Sequence, residues 1–264
     1  MYLTRLTLDP RSQAIQNWLS NPYRIHQRLW RGVPEIIQRQ HEALTSATPP
    51  FLYKVEIKPQ LGMLVQSLHK IDWGSVFADE KILKPLTEDT KILTPEKFIV
   101  AGRSYRFSLL ANATKKVKDY RSVFAAELSG YPVTSGRVDR ADYKEGKVRL
   151  EELKKTLSKE QKERIKSKKV GVYSEMEQLA WLARRGMAGG FQLQSAIVES
   201  TQTISATKKK MEGGGGEIRK ILAVTFAGLL EVTDSETFIK TYAAGIGSAK
   251  AFGCGLLLLA PARA

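Results

Sequence analysis

The chain has 264 residues, enough for one large domain or two small ones with a sizeable core. Its formal net charge of +15 points to a polyanionic partner. Nucleic acid leads a membrane surface here, because no run of about 18 apolar residues is present. Cys254 is the single cysteine, which excludes an intrachain disulfide; with His26, His41 and His69 as the three histidines, a zinc site of the usual Cys/His spacing is excluded too. No cofactor is expected. The first eight residues alternate as a strand rather than forming the apolar run of a signal peptide, so a cytoplasmic protein is expected.

Residues 2–8 predict a first strand with Tyr2, Thr4, Leu6 and Leu8 on one face, closed by the Asp9-Pro10 turn. A short helix over 11–19 follows. Asn21 caps the next helix, and Pro22 suits its first turn, where no intrahelical partner is needed for the N–H. At helical spacing Ile25, Leu29, Val33 and Ile36 form one apolar arc and Arg24, Arg28 and Arg31 a separate basic one. Tyr23 and His26, three apart, share a face between them. Gly32 and Pro34 end or bend this helix, and a second piece runs from Pro34 to about Leu44. Strands are predicted at 51–57 and 63–68, with a further edge strand at Lys81–Leu86 despite its proline.

Thr87–Glu96 is polar and marks the expected boundary between residues 1–90 and 91–264. A strand over Gly102–Asn112 opens the second half. Residues 113–170 are rich in Lys, Arg and Glu with a basic excess and predict a helical or mobile insertion outside the core. Ser174-Glu175-Met176-Glu177 has the form of a capping box, opening a helix with Met176, Leu179, Ala180 and Leu182 inward. Two long strands, 191–203 and 218–232, a helix from Asp234 to about Ala244 and a last buried strand at 256–259 complete the pattern. The fold class is α+β, and each half gives the order β-α-β-β-α-β of a ferredoxin-like (RRM-like) domain, two in tandem.

Three groups carry chemistry. His26 could serve as acid or base beside the Tyr23 phenol, with Arg28 or Arg31 neutralising charge; a half-buried histidine with a local hydrogen bond is the plainer alternative. The run Gly245–Gly255 (Gly245, Gly247, Ser248, Lys250, Gly253, Gly255) lets backbone N–H groups approach a phosphate, or serves turn geometry alone. It lacks the Gly-Lys-Ser/Thr ending of a Walker loop, which disfavours a nucleotide-binding enzyme. Lys208, Lys209 and Lys210 precede four glycines at a hairpin tip, and Arg219 and Lys220 extend the basic edge; the same tip could be merely solvated. His41 is expected at the surface, His69 at a strand end without a partner, and Trp18, Trp30, Trp73 and Trp181 in packing roles. Tyr105 and Phe107 fit buried packing better than base stacking. No carboxylate cluster has the form of a two-metal nuclease site.

The N-terminal Met-Tyr-Leu-Thr, Asn21-Pro22-Tyr23-x-x-His26, Ala180-Trp181-Leu182 and the terminal Gly245-Ile246-Gly247-Ser248-Ala249-Lys250-x-x-Gly253-x-Gly255-Leu256-Leu257 occur in the order seen in the CasE family, which this chain resembles. That family is the CRISPR RNA-processing endoribonuclease of type I-E systems. The resemblance implies a tandem ferredoxin-like fold and metal-independent cleavage of precursor CRISPR RNA at the base of a repeat hairpin, leaving a 2′,3′-cyclic phosphate or its opened form. It implies His26 as the catalytic histidine, Tyr23 as its supporting tyrosine and the Lys208–Gly216 tip as a hairpin entering the RNA groove. Its implied partners are the repeat hairpin, the mature product on which the enzyme stays, and the other subunits of the type I-E (Cascade) complex. A non-catalytic RNA-binding subunit of the same fold is the alternative from another class.

Overall fold

The structure is a computed structural model and describes residues 1–43, 48–57, 59–78, 87–132, 140–208 and 217–262. In chain order the first part holds β1 (Tyr2–Thr7), α1 (Gln13–Ser20), α2 (Pro22–Arg31), α3 (Glu35–Ala43), β2 (Phe51–Glu56), β3 (Gly62–Ser67), α4 (Trp73–Phe77) and β4 (Thr87–Ile92). After α5 (Pro95–Phe98) and β5 (Ser104–Ala111) come β6 (Thr114–Lys118), α6 (Tyr120–Val123), α7 (Arg140–Lys155), α8 (Lys159–Arg164) and β7 (Ser167–Gly171). The last part holds α9 (Glu175–Ala188), β8 (Phe191–Lys208), β9 (Glu217–Val232), α10 (Ser235–Ala244), a 3₁₀ turn (Lys250–Phe252) and β10 (Leu257–Pro261). Two compact units result, one of residues 1–114 with 171–264 and one of residues 115–170.

The larger unit is mixed α+β, with two four-stranded antiparallel sheets ordered β2-β3-β1-β4 and β10-β5-β9-β8. Numbered within its own half, each sheet reads 4-1-3-2 from one edge to the other. On β1 the alternation works as expected: Thr4 and Leu6 are buried and Arg5 is exposed. The fourth strand of the first sheet corrects the sequence reading. It is Thr87–Ile92, inside the segment read as a polar connection, and it pairs with β1 from Tyr2↔Ile92 to Thr7↔Thr87. An edge strand made of Thr-Glu-Asp-Thr-Lys-Ile keeps its main-chain bonds while showing no apolar alternation. Lys81–Leu86 lies outside the described residues.

One core gathers Leu6, Ile15, Trp18, Ile25, Leu29, Tyr53, Met63 and Val76 beneath the first sheet. Another gathers Leu109, Trp181, Phe191, Val224, Phe226 and Phe238 on the second. Leu52 and Leu64 meet Leu256 in a small cluster joining the sheets, and Gln66 Nε2 donates to the Tyr242 carbonyl at 2.9 Å across the same join. Tyr105 and Phe107 are buried packing residues, as expected.

Two helix expectations change. The apolar arc of α2 ends at Val33; Ile36 is two-thirds exposed, because Pro34 starts a new helix and resets the phase. On α9 the buried stripe is Gln178, Trp181, Leu182 and Gly186, while Met176 and Ala180 face outward. Ser174 makes no side-chain cap bond there. Instead the buried Gln178 Nε2 donates to the Val172 carbonyl and ties the helix start to the preceding loop. A true capping box occurs at α8, between Ser158 and Gln161.

The smaller unit pairs β6 with β7 and carries α6, α7 and α8. Its residues 115–170 include seventeen Lys or Arg against nine Asp or Glu, so about a fifth of the chain holds eight of its fifteen net positive charges. Phe124 and Leu128 are buried within it, and Lys168 holds the Asp119 carboxylate at 2.6 Å. That bond, with one from Ser122, keeps the Asp119 carboxyl below its ordinary range. Among the described residues no helix is long and apolar enough to cross a membrane.

Candidate active site

Helix α2 is organised in three faces. Its start is fixed by Asn21, whose side chain accepts from the Tyr23 N–H, and by Pro22 in the first turn. Its end is fixed by Gly32, where an added Cβ would lie 2.6 Å from side-chain atoms of both Ile71 and Val76. The inner face, Ile25 and Leu29, is buried. The basic face carries Arg24, Gln27, Arg28 and Arg31, which with Ala14, Asn17 and Trp18 of α1 line a cleft of about 510 Å³. All three arginines thus share one cleft, Arg31 included, although Gly32 follows it directly.

The third face carries Tyr23, His26 and Trp30. The Tyr23 and His26 rings are 5.8 Å apart. Trp30 Nε1 donates to His26 Nε2 at 2.9 Å, with the two rings edge-on at 6.0 Å. Phe51 of β2 closes the group, 5.3 Å from the His26 ring and 5.6 Å from that of Trp30. His41 of α3 stands edge-on to Trp30 at 5.2 Å. Two sequence readings are corrected here. Trp30 hydrogen-bonds the candidate catalytic imidazole rather than merely packing, and His41 is a half-buried member of the same aromatic group rather than a surface residue.

Tyr23 also reaches the second half of the chain. Its ring lies 5.7 Å from Phe252, in an apolar cluster with Ile204 of β8, Ile221 of β9, Ala249 and Ala251. Beneath it Tyr53 is fully buried, with its hydroxyl 2.7 Å from the Pro22 carbonyl and 3.1 Å from that of Ala251. One phenolic proton serves one carbonyl at a time, yet both acceptors converge on it, so the start of α2 is pinned to the 3₁₀ turn. Burial, with a smaller contribution from Cys254, pushes the Tyr53 phenol well above its ordinary value, so it stays a neutral donor. Burial also pushes the Cys254 thiol up to about 12, which leaves it inert as a nucleophile.

Residues 245–255 fold tightly over this point. Gly245, Gly247, Gly253 and Gly255 all have positive φ, as does Ala249. The N–H groups of Gly245, Gly253 and Gly255 donate to the carbonyls of Thr241, Lys250 and Leu110. Those three donors are engaged inside the protein, and the positive φ values make turn geometry a sufficient reason for the glycines. Their identity is required by conformation and by close approach. Ser248 Oγ donates to Asn112 Oδ1 at 2.8 Å, and Asn112 in turn donates to the Leu222 carbonyl, fixing the loop to β5 and β9. Lys250 is half-buried on the 3₁₀ turn, and that burial lowers its ammonium from the ordinary value.

A profile of the family described as "CRISPR associated protein" matches residues 1–261. "CRISPR-associated endoribonuclease Cse3" of Thermus thermophilus is 28% identical over 274 residues, covering 99% of this chain and 100% of that protein. "CRISPR system Cascade subunit CasE" of Escherichia coli K12 is 41% identical over 98 residues, covering 37% of this chain and 45% of that protein. The chain belongs to the CasE family of CRISPR-associated proteins. Among solved structures, Cse3 bound to a 19-nucleotide RNA superposes with a TM-score of 0.65 at 25% identity, covering 99% of this chain and 100% of that one.

In this CasE-family chain the structure brings Tyr23 and His26 together with the turn that carries Lys250, and groups Arg24, Arg28 and Arg31 in the cleft on the next face of α2. Helical spacing puts Arg28 and Arg31 about 140–160° around the axis from His26. Lys208 ends β8 opposite Glu217, and Arg219 lies on β9 opposite Ala206. Lys209 and Lys210 lie outside the described residues. Among the described residues no group of three or more His, Cys, Asp or Glu converges in a way that could hold a metal ion. Of the residues missed in the sequence, Trp30 had a visible signal, four positions after His26 on one helix. Phe51 and Tyr53 had none, since a strand far along the chain delivers them.

Proposed function

We propose that this chain is an endoribonuclease that cuts CRISPR repeat RNA hairpins without a metal and keeps the product. Two observations support the reading from outside the site: the relatives named as an endoribonuclease and as a Cascade subunit, and the RNA bound to the solved Cse3 structure. Within the site, the observation that carries it is the Tyr23–His26 pair held against the Lys250 turn.

In the proposed reaction a ribose 2′-OH attacks the adjacent phosphorus. The P–O2′ bond forms, the P–O5′ bond breaks, and the 2′ proton leaves to a base while the O5′ leaving group takes one from an acid. The products are a 2′,3′-cyclic phosphate and a 5′-OH. His26 supplies one of the two proton transfers and Tyr23 orients the reacting oxygens. Lys250, partly withdrawn from water, balances charge on the phosphorane. Because the nucleophile belongs to the substrate, no metal-bound water is required.

The RNA backbone is taken by the arginine cleft of Arg24, Arg28 and Arg31, by the Lys208–Lys210 tip with Arg219, and by Ser248 and Lys250 of the terminal loop. Gly245, Gly247, Gly253 and Gly255 shape that loop. The 4-1-3-2 order of both sheets supports two tandem ferredoxin-like halves, with the divide after Ile92 since β4 completes the first sheet. The product-bound enzyme would then join the other subunits of a type I-E Cascade complex.

The test is to incubate the protein with the hairpin repeat from its own genome, with and without EDTA. Equal cleavage in both is expected. Loss of cleavage in EDTA contradicts the mechanism, and binding without cleavage in either buffer favours the non-catalytic RNA-binding subunit.

A further inference from the structure

We infer that Trp30 is a positioning residue that sets the tautomer of His26 and holds its imidazole neutral in the free protein. The inference deepens the catalytic reading of His26 and rests on it. Indole Nε1 carries a hydrogen and can only donate. At 2.9 Å from His26 Nε2 it therefore requires a lone pair on that nitrogen. A neutral imidazole with Nε2 as acceptor carries its proton on Nδ1. The Nδ1 atom is itself buried.

Protonation of Nε2 removes the acceptor and turns the contact into two donors facing each other. The Trp30 bond thus exists in the neutral form alone, and it opposes protonation. The surroundings keep the indole in place: Phe51 of β2 and His41 of α3 are both edge-on to it. Among the described residues, the titratable groups whose rings face the site from the packed elements are Tyr23 on α2 itself and His41 on α3 behind the indole. Nε2 can exchange a proton with RNA once the indole bond is released, so seating of the substrate must displace it.

The test combines nitrogen NMR of His26 in the full chain with the pH dependence of the second-order single-turnover cleavage rate at subsaturating enzyme, which reports the free enzyme. Wild-type protein is expected to show His26 as the Nδ1–H tautomer near neutral pH. Trp30→Phe keeps an aromatic ring against Phe51 and His41 but removes the donor. In that variant the Nε2–H tautomer is expected to appear, the His26 titration to move to higher pH, and the His26 limb of the single-turnover rate profile to move the same way. A purely structural role for Trp30 would change amplitude or melting without moving either limb or tautomer. If the variant fails to fold, the wild-type tautomer alone decides: an Nε2–H imidazole overturns the proposal. An unchanged tautomer and titration in a folded Trp30→Phe protein overturn it as well. Failure here leaves the catalytic reading intact, whereas continued cleavage by His26→Ala defeats that reading without altering the tautomer result.

Discussion

Replacing His26 with alanine is expected to lower single-turnover cleavage of the cognate repeat hairpin on the order of 10³-fold, the usual size of one positioned acid–base group. Hairpin binding should survive. The residues proposed for the RNA backbone lie elsewhere, in the cleft on another face of α2, on the β8–β9 hairpin and on the terminal loop. Backbone neutralisation dominates affinity for a polyanion, and His26 contributes none of it when neutral. The fold should also survive, because His26 is half-buried at the edge of the first core and the neighbours that anchor α2, Ile25 and Leu29 within it and Tyr53 beneath it, are untouched. Cleavage within a few-fold of wild type, measured under enzyme excess, would remove His26 from the mechanism. Parallel loss of binding and cleavage would make it a structural residue.

A substitution at Gly245 is expected to have the largest effect on stability in the terminal loop. Gly245 sits at φ 76° and ψ 157°, a region open essentially to glycine alone. An added Cβ would stand 2.7 Å from Leu52 Cδ1 and 2.8 Å from the Gly255 carbonyl oxygen. Leu52 belongs to the small cluster that joins the two sheets, and Gly255 closes the loop by accepting from Ile246 and donating to Leu110. Backbone strain and overpacking together give a loss of roughly 3 kcal/mol for Gly245→Ala. For a chain of this size that lowers Tm by about 6–12 °C. Gly102→Ala is the control: its φ is 79°, but nothing lies within 4 Å of the added carbon. That variant should lose about 1 kcal/mol. Equal melting shifts for the two would show that close packing at Gly245 contributes nothing.

How much of this was legible in the sequence depends on whether the deciding partner was near or far along the chain. Tyr23, His26 and the three arginines were readable because a single helix fixes their angles. Asn21-Pro22 and Gly32-Pro34 mark its ends in the residues themselves. Trp30 is equally near, but side-chain type alone does not say where an indole N–H points, so its sequence signal fits packing just as well. The arc through Ile36 was misread for a related reason: periodicity assumes one continuous helix, and Pro34 interrupts it. Strand β4 escaped because an edge strand is held by main-chain bonds to β1, leaving its side chains free to be polar. The part that assembles the site was not legible. Tyr53 meets the Ala251 carbonyl across 198 residues of chain, and that contact exists only once both sheets are built. Nor could glycine content alone separate a phosphate cradle from turn geometry in residues 245–255. The structure adds that the amides of Gly245, Gly253 and Gly255 are bonded within the protein.

The central claim is that the substrate's own 2′-OH is the nucleophile. Mass spectrometry of the fragments cut from the cognate hairpin in EDTA tests it most directly. The expected products are an upstream fragment ending in a 2′,3′-cyclic phosphate, lighter by one water than the linear phosphate, and a downstream fragment beginning with a 5′-OH. An upstream 3′-OH paired with a downstream 5′-phosphate would contradict it.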